Sequence, residues 1–221
     1  MKRLYGISVL LIVTCAAFTQ TADHSLPSGG GHTVWEPPAW NFLTALPNST
    51  VPKEMLATLR VSGLPISLEE TRMDDARNHL GGTIGRKGDA GDFLEWLCLH
   101  HSDSRGRWVL WLESGEIDGG TVGSFQWQRL DKDGLLDQRC QMLQGAGSGI
   151  KLPISLQLGM TETEVLKTLG APTTRHGNRL IYVHEHQESI RGEPFTSTNI
   201  VSILLRGGMV WAIDVSKTTT S

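Results

Sequence analysis

Five residues occur twice in this chain, and their spacing constrains the fold more than any other feature. Leu64-Pro65-Ile66-Ser67-Leu68 recurs as Leu152-Pro153-Ile154-Ser155-Leu156, 88 residues later. Each copy leads into a short helical segment that ends in Leu-Gly, at Leu80-Gly81 and Leu169-Gly170. The two endings lie 89 residues apart, so a single insertion restores the register. An identity followed by the same order of elements is the signature of an internal duplication.

The second helix is strongly specified. Thr161-Glu162-Thr163-Glu164 is a capping box: the Thr161 hydroxyl serves the Glu164 amide, and the Glu164 carboxylate reaches back. Gly170 supplies a stop and Pro172 prevents continuation. Val165, Leu166 and Leu169 form a one-sided stripe that must bury against something. The first helix, Arg72 to Leu80, turns Met73, Ala76 and Leu80 inward and carries Asp74 and Asp75 early, as the helix dipole favours.

After each helix the periodicity shortens to that of strands. The first half predicts strands at Phe93–His100, Trp108–Glu113, Val122–Leu130 and Leu135–Met142, the last two joined by a hairpin connection at Asp131-Lys132-Asp133-Gly134. The second predicts Arg179–His186, Ile200–Arg206 and Met209–Val215. The expected fold class is therefore α+β: two tandem repeats, each a short helix followed by a 3–4-stranded antiparallel meander sheet, over 51–145 and 146–217. Several strands are apolar at both parities, as in Trp108, Leu110 and Leu112 against Val109 and Trp111. A sheet with one wet face alternates more cleanly. Either the repeats pack sheet to sheet, or one face is held for a partner.

The amino terminus directs the chain out of the cytoplasm. Met1-Lys2-Arg3 precedes the uncharged apolar run Leu4–Val13 and then small residues, the pattern of a secretory signal peptide over 1–22. That run is too short to span a bilayer, which takes about 20 residues, and no later segment reaches the length. Ile12-Val13-Thr14-Cys15 resembles a bacterial lipobox, with Thr14 where Gly, Ala or Ser is usual; Cys15 is thus a lipidation candidate, and cleavage near Ala17 or Ala22 competes. Residues 23–50 read as a flexible tether rich in Gly and Pro, although Val34, Trp35, Trp40, Phe42 and Leu43 form an apolar cluster fit either to pack on the folded body or to dock a partner. Beyond Cys15 only Cys98 and Cys140 remain, an even pair for which an oxidising compartment makes a disulfide the default.

Charge narrows the partners. The net charge is −3, and removal of residues 1–22 takes away Lys2 and Arg3 only, leaving 18 basic against 23 acidic residues, or −5. With no Lys/Arg stripe, nucleic acid is not an expected partner.

Leu158-Gly159-Met160-Thr161-Glu162-Thr163-Glu164-Val165-Leu166, then Leu169-Gly170-Ala171-Pro172 and Leu180-Ile181-Tyr182, resembles the SmpA/OmlA (BamE-like) outer-membrane assembly lipoproteins. The tandem arrangement resembles that of the beta-lactamase inhibitor protein. The likeness covers about 152–215, and its glycines, proline and cap are structural. It implies a non-enzymatic chain that acts by protein contact.

Chemistry-bearing motifs are sparse. His184-Glu185-His186 lies on an expected strand, where alternation sets both imidazoles on one face; two such residues suit a zinc ion, with His176 or the His100-His101 pair as further candidates. The same parity carries Leu180 and Tyr182, so the histidines mark where that face becomes wet, and no metal is expected there. No Gly-x-Ser-x-Gly elbow, His-Glu-x-x-His or P-loop occurs, and no catalytic set or cofactor is expected. Trp96, Trp108, Trp111, Trp127 and Trp211 all fall on strands, where tryptophan serves either a core or an interface, and Trp111, opposite in parity to Trp108, is the contact candidate. The expectation is an exported protein, periplasmic, outer-membrane-tethered or secreted, that binds another envelope or secreted protein. The alternatives are a secreted inhibitor or immunity-type binder of a hydrolase, and a small metal-dependent enzyme using His184 and His186.

Overall fold

Strand-rich sequence at both parities needs cover on both sides, and the fold supplies it around one sheet. A computed structural model describes residues 33–39, 47–89, 92–103, 106–144 and 149–221. The expected signal peptide with Cys15, and Trp40, Phe42 and Leu43 of the apolar cluster, lie outside the described residues. In chain order the elements are β1 (Thr33–Val34), β2 (Thr58–Val61), β3 (Leu64–Ser67), α1 (Met73–Leu80), β4 (Ile84–Lys87), β5 (Leu94–Asp103), β6 (Gly106–Gly115), β7 (Ser124–Arg129), β8 (Leu135–Leu136), β9 (Gln141–Met142), β10 (Ile150–Lys151), α2 (Glu162–Leu169), β11 (Thr174–His176), β12 (Arg179–Ile190), β13 (Glu193–Arg206) and β14 (Met209–Thr220).

The described residues are 51% strand and 11% helix, and nine of the strands form one sheet. Its order is β11-β12-β13-β14-β7-β6-β5-β4, with β9 continuing the β4 edge beside β5. This corrects the expected α+β pair of helix-plus-meander repeats. The reason lies in two edges: β7 and β14 pair antiparallel, Ser124↔Ser216 through Gln128↔Ala212, so no boundary between sheets exists. A bare apolar edge strand is a liability that such pairing removes. The expected hairpin after Val122–Leu130 is also replaced. Gly134 donates to the Asp131 carbonyl in a turn, but β8 then pairs parallel with β1.

One face of the sheet carries Leu97, Leu99, Trp108, Leu110, Leu112, Phe125, Trp127, Leu180, Tyr182, Val201, Ile203 and Ile213. Met73, Ala76 and Leu80 of α1, Val165 and Leu169 of α2, and Leu59, Val61 and Ile66 of the β2–β3 hairpin pack on it in a single core. The two Leu-Pro-Ile-Ser-Leu copies both point Leu and Ile inward, yet only the first is a strand. The capping box forms as expected: Thr161 N–H donates to Glu164 Oε2 at 2.7 Å, and Glu164 N–H to Thr161 Oγ1 at 3.4 Å. Gly170, at φ 81°, ends the helix, and the Tyr182 hydroxyl donates to its carbonyl at 3.1 Å. Burial pushes that phenol up to about 12. Leu166, expected on the buried stripe, is 37% exposed because α2 presents only Val165 and Leu169 to the core.

The other face holds Trp96, Cys98, Val109 and Trp111, and its cover is the segment expected to be a tether. Trp35 is buried against Trp96, edge to face with ring centres 5.7 Å apart, and the Trp111 indole N–H donates to the Trp35 carbonyl at 3.0 Å. Cys98 and Cys140 form a disulfide that ties β5 to the segment after β8. From there the Arg139 guanidinium lies 4.3 Å over the Trp35 ring while bonding both Asp137 oxygens, which holds that carboxyl down at about 2. The two-faced strands are thus explained by the protein's own chain: helices and hairpin on one side, strap and disulfide segment on the other.

Candidate functional site

Side chains opposed across the sheet define a row on the strap-covered face: Ile181, Ser202, Asp214, Gln126, Trp111 and Cys98. Its middle is polar and buried. Asp214 is 6% exposed, Gln126 4% and Ser202 essentially closed. Arg179, one strand pair away, donates through Nη1 both to the Asp214 carboxylate and to Ser202 Oγ, the latter at 2.7 Å. Gln126 Nε2 donates to the Pro38 carbonyl at 2.8 Å, so the strap that begins over Trp96 and Trp111 also touches β7. Further along the chain, Val51 N–H donates to the Val183 carbonyl at 2.7 Å on the outer side of β12. Trp111 and Gln126 thus bind the strap to the sheet, Ser202 and Asp214 tie strands through Arg179, and Cys98 holds the disulfide segment.

Burial raises the Asp214 carboxyl above its ordinary value, and the Arg179 charge and hydrogen bond oppose that. An acid whose folded pKa is raised contributes stability that is fully present below the unfolded value and is lost as pH rises through the folded one. Asp214→Asn removes that titration. From about pH 4 to pH 7 the urea midpoint of the wild type is expected to fall relative to the variant. A wild-type advantage that grows with pH would mean that attraction to Arg179 outweighs burial.

The tryptophans fall on both faces and are mostly core. Trp108 and Trp127 meet edge to face on the helix side, with ring centres 6.1 Å apart and exposures of 8% and 6%. Trp96 and Trp111 lie under the strap. Trp111, the contact candidate, is 1% exposed and lies on the face opposite Trp108, where Trp35 covers it. Trp211 alone of the five is partly open, with Arg206 stacked 4.4 Å over its ring. The strap tie at Gln126 and the Arg179–Asp214 pair escaped the sequence. The signal that could have found Asp214 is its parity, an acid between Ile213 and Val215 on an apolar strand.

His184 and His186 share the helix-side face of β12 beyond the core, with ring centres 5.3 Å apart. His184 Nδ1 lies 3.0 Å from the Val51 carbonyl. His176, on β11, and His100-His101, on β5, stand on other strands and do not join them. Among the described residues no group of three or more His, Cys, Asp or Glu side chains is arranged to hold a metal ion.

The remaining feature is an edge. β11 pairs with β12 only at Arg179–Ile181, and Val51 meets it at Val183. From His184 to Ile190 the outer side of β12 has no strand partner among the described residues, while its inner side is laddered to β13 throughout. A surface groove of about 390 Å³ lies elsewhere, lined by Ser62, His79, Leu80, Gln141, Met142, Leu143 and Gln144. No helix among the described residues is long and apolar enough to cross a membrane.

Comparison with known protein families, with curated proteins and with solved structures finds no match.

Proposed function

We propose that the chain is an exported, non-enzymatic protein-binding module of the bacterial cell envelope, acting by contact as the resemblance to the BamE-like lipoproteins and the beta-lactamase inhibitor protein implies. The observation that carries this reading is the outer edge of β12 from His184 to Ile190, which has no strand partner among the described residues and is backed along its inner side by β13. An extended partner segment can add to such an edge, gaining affinity from main-chain hydrogen bonds. Ile190, 40% exposed near its end, adds an apolar contact. The Cys98–Cys140 disulfide accords with an oxidising compartment outside the cytoplasm.

The edge has a specific test. Val183 turns its N–H and carbonyl outward, to Thr173 Oγ1 and to Val51 N. Alternation therefore turns the N–H of Gln187 outward as well. Gln187→Pro deletes that donor, along with the exposed side-chain bond to Thr196 Oγ1, and spares the β12–β13 backbone ladder, since proline is tolerated on the outer side of an edge strand. Bait of each kind is incubated with envelope extract and the retained proteins are identified by mass spectrometry. One dominant protein held by the wild type and reduced about tenfold or more by Gln187→Pro is expected, a loss of about 1.4 kcal/mol. Its identity separates assembly machinery from a hydrolase target. Equal retention by both baits, or no specific protein on either, contradicts the edge as the contact.

A further inference from the structure

We propose that His184 and His186 form a two-histidine site for a divalent transition-metal ion of the zinc type, a property separate from protein binding through the β12 edge. The pair sits two residues apart on β12, so both imidazoles leave the same face of the sheet. Their ring centres are 5.3 Å apart. Two imidazoles on one tetrahedral zinc, with bonds of about 2.0–2.1 Å, place their ring centres about 5 Å apart. The separation therefore accommodates a shared ion with little movement of either ring.

The proton arrangement favours the same use. Val51 offers His184 a carbonyl, which only accepts, so Nδ1 carries the hydrogen and Nε2 of the neutral ring presents its lone pair. A backbone carbonyl fixing the tautomer in this way is the usual outer partner of a metal-ligating histidine. His186 holds the complementary anomaly. Its Nδ1 is enclosed yet makes no hydrogen bond among the described residues. Ser197, opposite it in register and 1% exposed, has an Oγ that is equally enclosed and without a partner. Two enclosed polar atoms on directly opposed residues, neither hydrogen-bonded among the described residues, cost free energy unless something pairs with them.

The neighbours set the coordination. Asn199, opposite His184, is engaged with the Leu56 and Ser216 carbonyls at 2.7 and 3.0 Å. Lys217, next across the sheet, lies 3.9 and 3.8 Å from Glu54 and Glu69, so those carboxylates already face a cation. The ion is held by the two imidazoles, with water in the remaining positions. Nitrogen ligands of this kind select zinc and copper(II) over magnesium.

The test uses the full chain and zinc alone, followed by calorimetry and native mass spectrometry. The expected result is one zinc per chain, no response to magnesium, and affinity lowered at least about tenfold in His184→Gln and in His186→Gln. His79→Gln, at an exposed histidine away from β12, should bind as the wild type does. Should either β12 variant fail to fold, zinc titration of the wild type followed by imidazole NMR takes its place, and the His184 and His186 resonances must shift together. Zinc bound with those resonances unmoved, zinc retained by both variants, or none bound by the wild type overturns the site.

Discussion

Trp111→Ala is expected to lower the stability of the folded chain by about 3–5 kcal/mol, the cost of truncating a large buried aromatic. Trp111 is 1% exposed and packed with Trp35, Trp96, Val109 and both cysteines. The variant also loses the indole N–H that holds the Trp35 carbonyl, which loosens the strap while its ties to Trp96 and Gln126 remain. Two readouts separate these consequences. The urea midpoint reports the loss of packing, and hydrogen exchange at Val34–Glu36 reports freeing of the strap. Trp111→Phe, which keeps most of the volume and drops the hydrogen bond, should fall between wild type and Ala in both. A change below about 1 kcal/mol for Trp111→Ala would mean that the strap-side cluster collapses around the missing ring or adds little to the fold. The same burial makes Trp111→Ala a poor probe of partner contact, since loss of the fold would mimic loss of binding.

Replacing Cys98 and Cys140 together by Ala is expected to cost about 4 kcal/mol, on the chain-entropy argument for a closed loop of this size. The residues are 42 apart in sequence, and the loop contains β6 and β7 entire. The bond also fixes the register of the segment that carries Arg139 beneath Trp35 and β9 beside β5. Denaturant unfolding with and without a thiol reductant measures the effect: wild type in reductant should approach the double variant, and the double variant should not respond. Cys98 stands directly opposite Trp111 on β6. Neighbours of this kind are not additive, so Trp111→Ala in the disulfide-free chain should cost less than the sum of the two changes. Full additivity would show that the strap and the disulfide segment stabilise the sheet independently.

Several features were legible because they are local. The α2 cap and stop follow from Thr161, Glu164 and Gly170, whose hydrogen bonds span no more than four residues. Strand periodicity located β5, β6, β7, β12, β13 and β14, although β12, β13 and β14 run several residues past where the apolar pattern ends. That extension comes from pairing: polar residues such as Thr196 and Thr220 oppose one another and complete a ladder begun further in. β4 and β11 were missed because four and three residues carry too little pattern to be seen without a neighbouring strand. The cysteine pair was legible from number, since only Cys98 and Cys140 remain beyond Cys15. The histidine pair was visible as an i, i+2 motif, but the Val51 carbonyl that orients it is 133 residues away in sequence.

By itself, then, the sequence determined two helices, the second with its capping box, the apolar strands at both parities, a disulfide pairing and two histidines on one strand face. The helices, strands and histidines depend on neighbours within a turn or on the alternation of a strand, and the disulfide follows from there being only two cysteines beyond Cys15. The tertiary structure alone decided that β7 joins β14 into a single nine-stranded sheet, that the strap rather than a second sheet or a partner covers Trp111, and that Asp214 meets Arg179 in the buried row. Each of those choices is a pairing between segments far apart in sequence, where any unpaired edge, ring or charge could have been satisfied in several ways. The one realised is that in which edge, indole and carboxylate are all satisfied together.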